Sequence, residues 1–238
     1  MDYIAHRGFA ETHPENTLAA VRAAGGNGSG KATQTRADAD STAGAGPTAD
    51  AVEVDIRRCG SGELVVVHDE TVDRVTDGTG RVADHTLAQL RDLDVLGTGA
   101  GVPTLAAVFE AATVPVNVEL KERGLAGDAL ECAAETGADA WCSAFDPAAV
   151  EALRERGGEA ALLVAEEPEE ALDRARRLDC AAVHPHHSLC TTGLVERAQA
   201  AGLSVNAWTV RSRGTAAGLA AAGVDGLVAD AARYCPER

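Results

Sequence analysis

Residues 51–69 read Ala-Val-Glu-Val-Asp-Ile-Arg-Arg-Cys-Gly-Ser-Gly-Glu-Leu-Val-Val-Val-His-Asp. Two apolar runs of strand composition, 51–56 and 64–68, flank seven residues at 57–63. Seven residues cannot hold the crossover of a dozen or more that joins parallel neighbours, so the chain returns extended through a turn at 60–62. Strand side chains alternate, which puts Glu53 and Asp55 on one face and Val52, Val54 and Ile56 on the other.

Working outward, further short apolar runs lie at 3–5, 114–120, 140–143, 160–164, 181–184, 204–209 and 226–229. Helical patterns at 17–24, 105–112, 128–136, 147–156, 168–178, 192–201 and 215–222 lie between most of them. Such alternation predicts a mostly parallel sheet, and the number of units in 238 residues predicts a closed (β/α)8 TIM barrel, irregular between its second and third strands. Nine candidate strands compete for eight places, so one is a hairpin arm or a short extra strand. Residues 25–49 hold almost no large apolar side chain and read as a flexible low-complexity insertion in a single domain spanning 1–238.

The chain carries 37 acidic and 21 basic residues, a formal charge of −16, which argues against nucleic-acid or anionic-lipid partners. No apolar run reaches the ~18 residues of a membrane span. The opening Met1-Asp2-Tyr3-Ile4-Ala5-His6-Arg7 lacks a signal-peptide pattern, so a cytoplasmic location is expected. The only lysines are Lys31 and Lys121, and an acid-rich, lysine-poor composition resembles that of halophilic proteins. Six cysteines form no C-x-x-C pair and read as small, free apolar residues.

Four polar sets sit at the ends of candidate strands: His6-Arg7-Gly8 with Pro14-Glu15-Asn16-Thr17, the Glu53/Asp55 pair, His68-Asp69, and Asn117-Val118-Glu119-Leu120-Lys121. Barrel active sites lie at the C-terminal ends of the strands. Glu53, Asp55 and Glu119 would bring three negative charges into one mouth, and an all-oxygen set favours one hard divalent cation, Mg²⁺ or Ca²⁺. His6 and His68 suit proton transfer near neutral pH, and Arg7 and Lys121 supply fixed positive charge. Together these groups suit phosphoryl chemistry. His184-Pro185-His186-His187 matches no metal-site spacing and reads as a rim loop, and 76–82 reads as a turn.

In order along the chain, H-R-G at 6–8, P-E-N-T at 14–17, V-E-V-D at 52–55, V-V-V-H-D at 65–69, V-P-T-L at 102–105, V-N-V-E-L-K at 116–121, S-A-F-D-P at 143–147, W-T-V at 208–210 and G-V-D-G-L-V-A-D at 223–230 resemble the glycerophosphodiester phosphodiesterase family. The resemblance implies a barrel of the phospholipase-C-like phosphodiesterase type that hydrolyses a small glycerophosphodiester to glycerol 3-phosphate and an alcohol. It implies His6 and His68 as general base and acid, in an order the residues leave open, and Glu53, Asp55 and Glu119 as holders of the cation. Arg7 and Lys121 would contact phosphate, Glu15 would brace Arg7 or lie near the metal, and Phe145 and Trp208 would form an apolar wall. A glycerol hydroxyl would attack phosphorus, giving a cyclic phosphate that water opens. Two positions depart from the family pattern: Arg211 stands where Asn is usual, and Ala229-Asp230-Ala231-Ala232 lacks the Thr and Pro of the last motif. Rival readings are another phosphodiester as substrate, such as a phosphoinositol lipid or a cyclic phosphate, and a barrel that binds a phosphorylated ligand without turnover. The head-group alcohol, the ion and the oligomeric state stay open.

Overall fold

The structure, a computed structural model, describes residues 1–26 and 48–236. Most of the insertion expected at 25–49 therefore lies outside the described residues, as does Lys31.

Nine strands and eight α-helices alternate along the described chain. They run β1 (Asp2–His6), α1 (Leu18–Ala24), β2 (Ala51–Arg58), β3 (Leu64–Val66), α2 (Leu87–Asp92), α3 (Leu105–Ala111), β4 (Val116–Leu120), α4 (Ala126–Thr136), β5 (Ala140–Ala144), α5 (Pro147–Arg154), β6 (Ala160–Val164), α6 (Pro168–Arg177), β7 (Ala182–Pro185), α7 (Thr192–Ala200), β8 (Ser204–Val210), α8 (Arg213–Ala222) and β9 (Gly226–Ala229). Eight strands pair in parallel in the order β1-β2-β4-β5-β6-β7-β8-β9, and β9 closes the ring against β1. The ninth candidate is β3, which pairs antiparallel with β2 (Ile56 opposite Val66, Arg58 opposite Leu64) and stays outside the ring. It is a hairpin arm reached through the short extended return at 57–63, and it answers which of the nine candidates is left over.

The outer faces of the strands supply the main core. Val52, Val54 and Ile56 of β2 and Val116, Val118 and Leu120 of β4 are buried together with helix residues such as Leu105, Val108 and Leu153. Inside the ring, Ile4, Ala51 and Val228 form a small apolar floor with Trp141 and Trp208 packed against it. Above the floor the inward positions are polar: Glu53, Asp55, Asn117, Glu119, Ser143 and His184 are all buried. Since buried polar groups are costly unless partnered, this polar lumen marks the C-terminal mouth as the working end.

Residues between β3 and α3 fold into a unit whose Val67, Val72, Val75, Val82, Leu90, Val95 and Val102 form an apolar cluster with Cys59 and Val65 of the β2–β3 hairpin. The helix α2 within it was not foreseen, although Thr86-Leu-Ala-Gln89 is a capping box: Thr86 Oγ1 accepts from the Gln89 N–H (3.3 Å) and Gln89 Oε1 accepts from the Thr86 N–H (2.8 Å). Gly60 lets this unit dock on the hairpin turn. Its N–H donates to the His85 carbonyl at 2.7 Å, and a Cβ there would stand 2.6 Å from the Ala83 oxygen.

Candidate active site

The β1–α1 loop positions the first set. Arg7, Gly8 and Phe9 take left-handed backbone angles in succession (φ 50°, 78° and 66°), a conformation that is costly outside glycine. Gly8 is required for a second reason, since a Cβ would lie 2.6 Å from Ala20 Cβ on α1. The turn aims the Arg7 N–H at Glu53 Oε2, 3.0 Å away. Thr17 caps α1, its Oγ1 accepting from the Ala20 N–H at 3.2 Å. Asn16, at φ 58°, instead donates its side-chain amide to Asp55 Oδ2 at 2.9 Å.

Strand register assembles the carboxylates. Glu53 pairs with Asn117 and Asp55 with Glu119 across β2 and β4, so all three acids face the lumen at adjacent levels. One oxygen of each lies within 4.8 Å of the others, and all three side chains are buried. Around them, Arg7 Nε is 3.0 Å from Asp55 Oδ2, and Lys121 Nζ is 2.6 Å from Glu119 Oε1 and 3.6 Å from Asp55 Oδ1. Burial, then the charges of Asp55 and Glu119, push Glu53 well above the usual carboxylate range. Burial and Asp55 likewise raise Glu119. Burial opposes ionisation of Asp55, yet Arg7 and Lys121 hold it below its usual value.

Two buried oxygens of this cluster, Glu53 Oε1 and Asp55 Oδ1, have no hydrogen-bond partner among the described residues. Orphaned buried oxygens beside a third carboxylate fit a hard divalent cation, which would satisfy both and cancel the repulsion. A divalent metal is thus the natural complement of this site.

Each candidate histidine is held by a carboxylate on Nδ1. His6 donates to Asp230 Oδ1 at 2.5 Å, and His68 to Asp69 Oδ1 at 2.6 Å. With Nδ1–H so engaged, Nε2 is the nitrogen free to exchange protons; that of His6 lies 3.9 Å from Glu53 Oε2. The antiparallel return of β3 delivers His68, whose carbonyl accepts from Arg57 Nε at 2.9 Å. Burial lowers the His68 pKa, Asp55 and Asp69 oppose this, and Arg7 and Lys121 reinforce it. The bond from Arg74 holds Asp69 down at about 2, and Arg74 also grips Glu15 with both terminal nitrogens.

All ten residues singled out from the sequence stand at or beside one cavity of about 290 Å³. His6, Arg7, Glu53, Glu119, His68, Lys121, Phe145 and Trp208 line it. Asp55 lies beneath, and Glu15 braces Arg7 at 3.0 Å rather than joining the carboxylate cluster. Phe145 and Trp208 meet edge-to-face, ring centres 5.4 Å apart, and form the apolar wall. The sequence reading quoted Asn16, Asp69 and Asp230 within its motifs without giving them a bracing role, and it did not single out Arg74. His184, fully buried with its pKa held down at about 4 by burial, stands on the cavity wall, where its Nε2 accepts from Asn206 Nδ2 at 3.1 Å. His186 and His187 stand on the rim, but the loop reading of 184–187 fails for its first half, since His184 and Pro185 belong to β7 and are buried.

Fold and site together are those of a barrel hydrolase acting on phosphoric diesters. A family model described as the Glycerophosphoryl diester phosphodiesterase family matches residues 41–233, and the chain belongs to that family. A glycerophosphodiester phosphodiesterase of Caldanaerobacter subterraneus subsp. tengcongensis is 30% identical over 95% of this chain and 93% of its own length. A phosphodiesterase of Oleispira antarctica, solved with its product sn-glycerol-3-phosphate, superposes with a TM-score of 0.80 at 27% identity, covering 97% of this chain and 93% of that one. The glycerophosphodiester phosphodiesterase of Thermotoga maritima shares the fold at a TM-score of 0.78 and 22% identity, covering 98% and 95%.

Proposed function

We propose that this protein hydrolyses glycerophosphodiesters to glycerol 3-phosphate and an alcohol, with His6 and His68 exchanging protons and one divalent cation, Mg²⁺ or Ca²⁺, held by Glu53, Asp55 and Glu119. The observation that carries the reading is the pair of orphaned carboxylate oxygens between two carboxylate-braced histidines. A cation held by these three carboxylates would supply positive charge opposite the phosphate oxygens and make the attacking hydroxyl more acidic.

The chain's own residues do the rest. Arg7 and Lys121 neutralise the phosphate. One histidine Nε2 takes the proton of the attacking glycerol hydroxyl as its bond to phosphorus forms. The other gives a proton to the alcohol oxygen as the second phosphorus–oxygen bond breaks, and the two reverse roles when water opens the cyclic phosphate. Asp230 and Asp69 hold the tautomers, Glu15 orients Arg7, and Phe145 with Trp208 covers the carbon skeleton.

One barrel holds the whole set, so we read the chain as a single catalytic domain. Six free thiols and the absence, among the described residues, of a helix long and apolar enough to cross a membrane suit a small-molecule enzyme of the cytoplasm. Its acidic surface suits concentrated salt. The test is ³¹P NMR of the protein with glycerophosphocholine, a phosphoinositol lipid and a cyclic phosphate. Conversion of glycerophosphocholine to glycerol 3-phosphate is expected; turnover of one of the others alone would replace the substrate in this reading.

A further inference from the structure

A second cavity of about 550 Å³ opens beside the first, and His6, Arg7 and Arg211 belong to the walls of both. A phosphodiester has two arms, and a phosphate held at Arg7 can send one into each. The deeper cavity, with its aromatic wall, suits the constant glycerol arm. The wider groove, bounded by Arg7, Glu11, Glu15, Arg74, Arg211 and Asp230, suits the alcohol that departs.

Most charges in that groove are already spoken for. Glu15 is held by Arg7 and Arg74, and Arg74 spends Nε on Asp69 and both terminal nitrogens on Glu15. Glu11 is held by Arg233 and Tyr234. Asp230 takes His6 on one oxygen and Arg211 Nε on the other, each at 2.5 Å. Arg211 is different: Nε is its only side-chain atom with a hydrogen bond among the described residues, and its side chain is 68% exposed. Asp230 anchors the base of the guanidinium, so the two terminal nitrogens stand at the junction of the cavities as a fork of unspent donors. Guanidinium forks of this kind match carboxylate and phosphate oxygens.

We propose that Arg211 is a specificity-determining residue that selects glycerophosphodiesters whose alcohol carries its own anionic group, a carboxylate or a second phosphate. The inference rests on the phosphodiesterase reading above and names the substrate class of that site.

The test compares kcat/KM of wild type, Arg211→Gln and Arg211→Lys on four substrates: glycerophosphoglycerol, the same diester bearing a terminal phosphate, glycerophosphoserine and glycerophosphocholine. Arg211 also braces Asp230, so each variant changes all four rates together, and the ratio between substrates is the informative quantity. Wild type is expected to favour the phosphate-bearing substrate over glycerophosphoglycerol about tenfold, the order of one charge-assisted contact, and glycerophosphoserine over glycerophosphocholine in the same sense. Arg211→Gln should bring both ratios to about one, and Arg211→Lys should restore part of each. A preference for phosphate with none for serine assigns the fork to phosphate alone and still supports it. Turnover of all four substrates with no such preference, or ratios unchanged in Arg211→Gln, overturns the inference alone. No turnover of any of them overturns the phosphodiesterase reading and the inference with it.

Discussion

Replacing Glu53 by Gln is expected to stabilise the metal-free protein while removing its response to metal. Glu53 faces Asp55 and Glu119, with one oxygen of each within 4.8 Å. At an effective dielectric of about 20, two carboxylate charges at that distance repel by about 3.5 kcal/mol. Attraction to the Arg7 guanidinium and partial protonation of Glu53 already return most of this, and a glutamine Oε1 still accepts the Arg7 N–H. We expect a net gain of about 1–2 kcal/mol in EDTA at pH 8, a rise in Tm of roughly 4 °C for a domain of this size. Saturating Mg²⁺ or Ca²⁺ should then reverse the order. A cation at a hundred times its Kd adds about 2.7 kcal/mol to wild type and little to a variant that has lost a ligand. The pH dependence has a definite sign. Glu53 and Glu119 bind protons more tightly folded than unfolded, so wild type in EDTA loses stability as pH rises from the ordinary carboxylate range through their raised values. Metal, which replaces those protons, should flatten that slope. Thermal unfolding followed by circular dichroism, with EDTA and with each ion, reads all of this. A Glu53→Gln variant that melts below wild type in EDTA would refute the repulsion argument.

Three further outcomes follow from the site. His6→Ala and His68→Ala should each lower kcat by about 10²–10⁴-fold with an unchanged circular dichroism spectrum, and near-normal rates in both would remove the acid–base assignment. Asp230→Asn should lower kcat by about 10²-fold with little change in KM, because the amide favours the wrong tautomer of His6; an effect on KM alone would make Asp230 a binding residue instead. His68 in the metal-free protein should titrate below the usual histidine value near 6.5, staying neutral further into acid, and an NMR midpoint above 6.5 would contradict the burial argument.

The parts of the fold legible in the sequence were those written in periodicity. Alternation in 51–56 and 114–120 placed Glu53, Asp55, Asn117 and Glu119 on one face, and the ring supplies that geometry. The seven-residue connection at 57–63 excluded a crossover, while which of the nine candidates stays outside the barrel was left open; the structure makes it β3. Less legible was the unit after β3: its helix is one and a half turns long, below the length at which periodicity speaks, and only the Thr86/Gln89 box marked it. Bracing residues were hidden for another reason. Asp230 lies 224 positions from His6, and only closure of β9 against β1 brings them together. Asn16 and Thr17 both have the chemistry of a helix cap; Thr17 takes that place, and the Asn16 amide goes to buried Asp55, which has greater need of a donor.

The most direct test of the central claim is release of glycerol 3-phosphate from glycerophosphocholine and glycerophosphoethanolamine in molar salt, with Mg²⁺, Ca²⁺ or EDTA. Release that one of the ions supports, that EDTA abolishes and that added ion restores is the predicted result. Release indifferent to EDTA, or none with either ion from folded protein, would contradict the account.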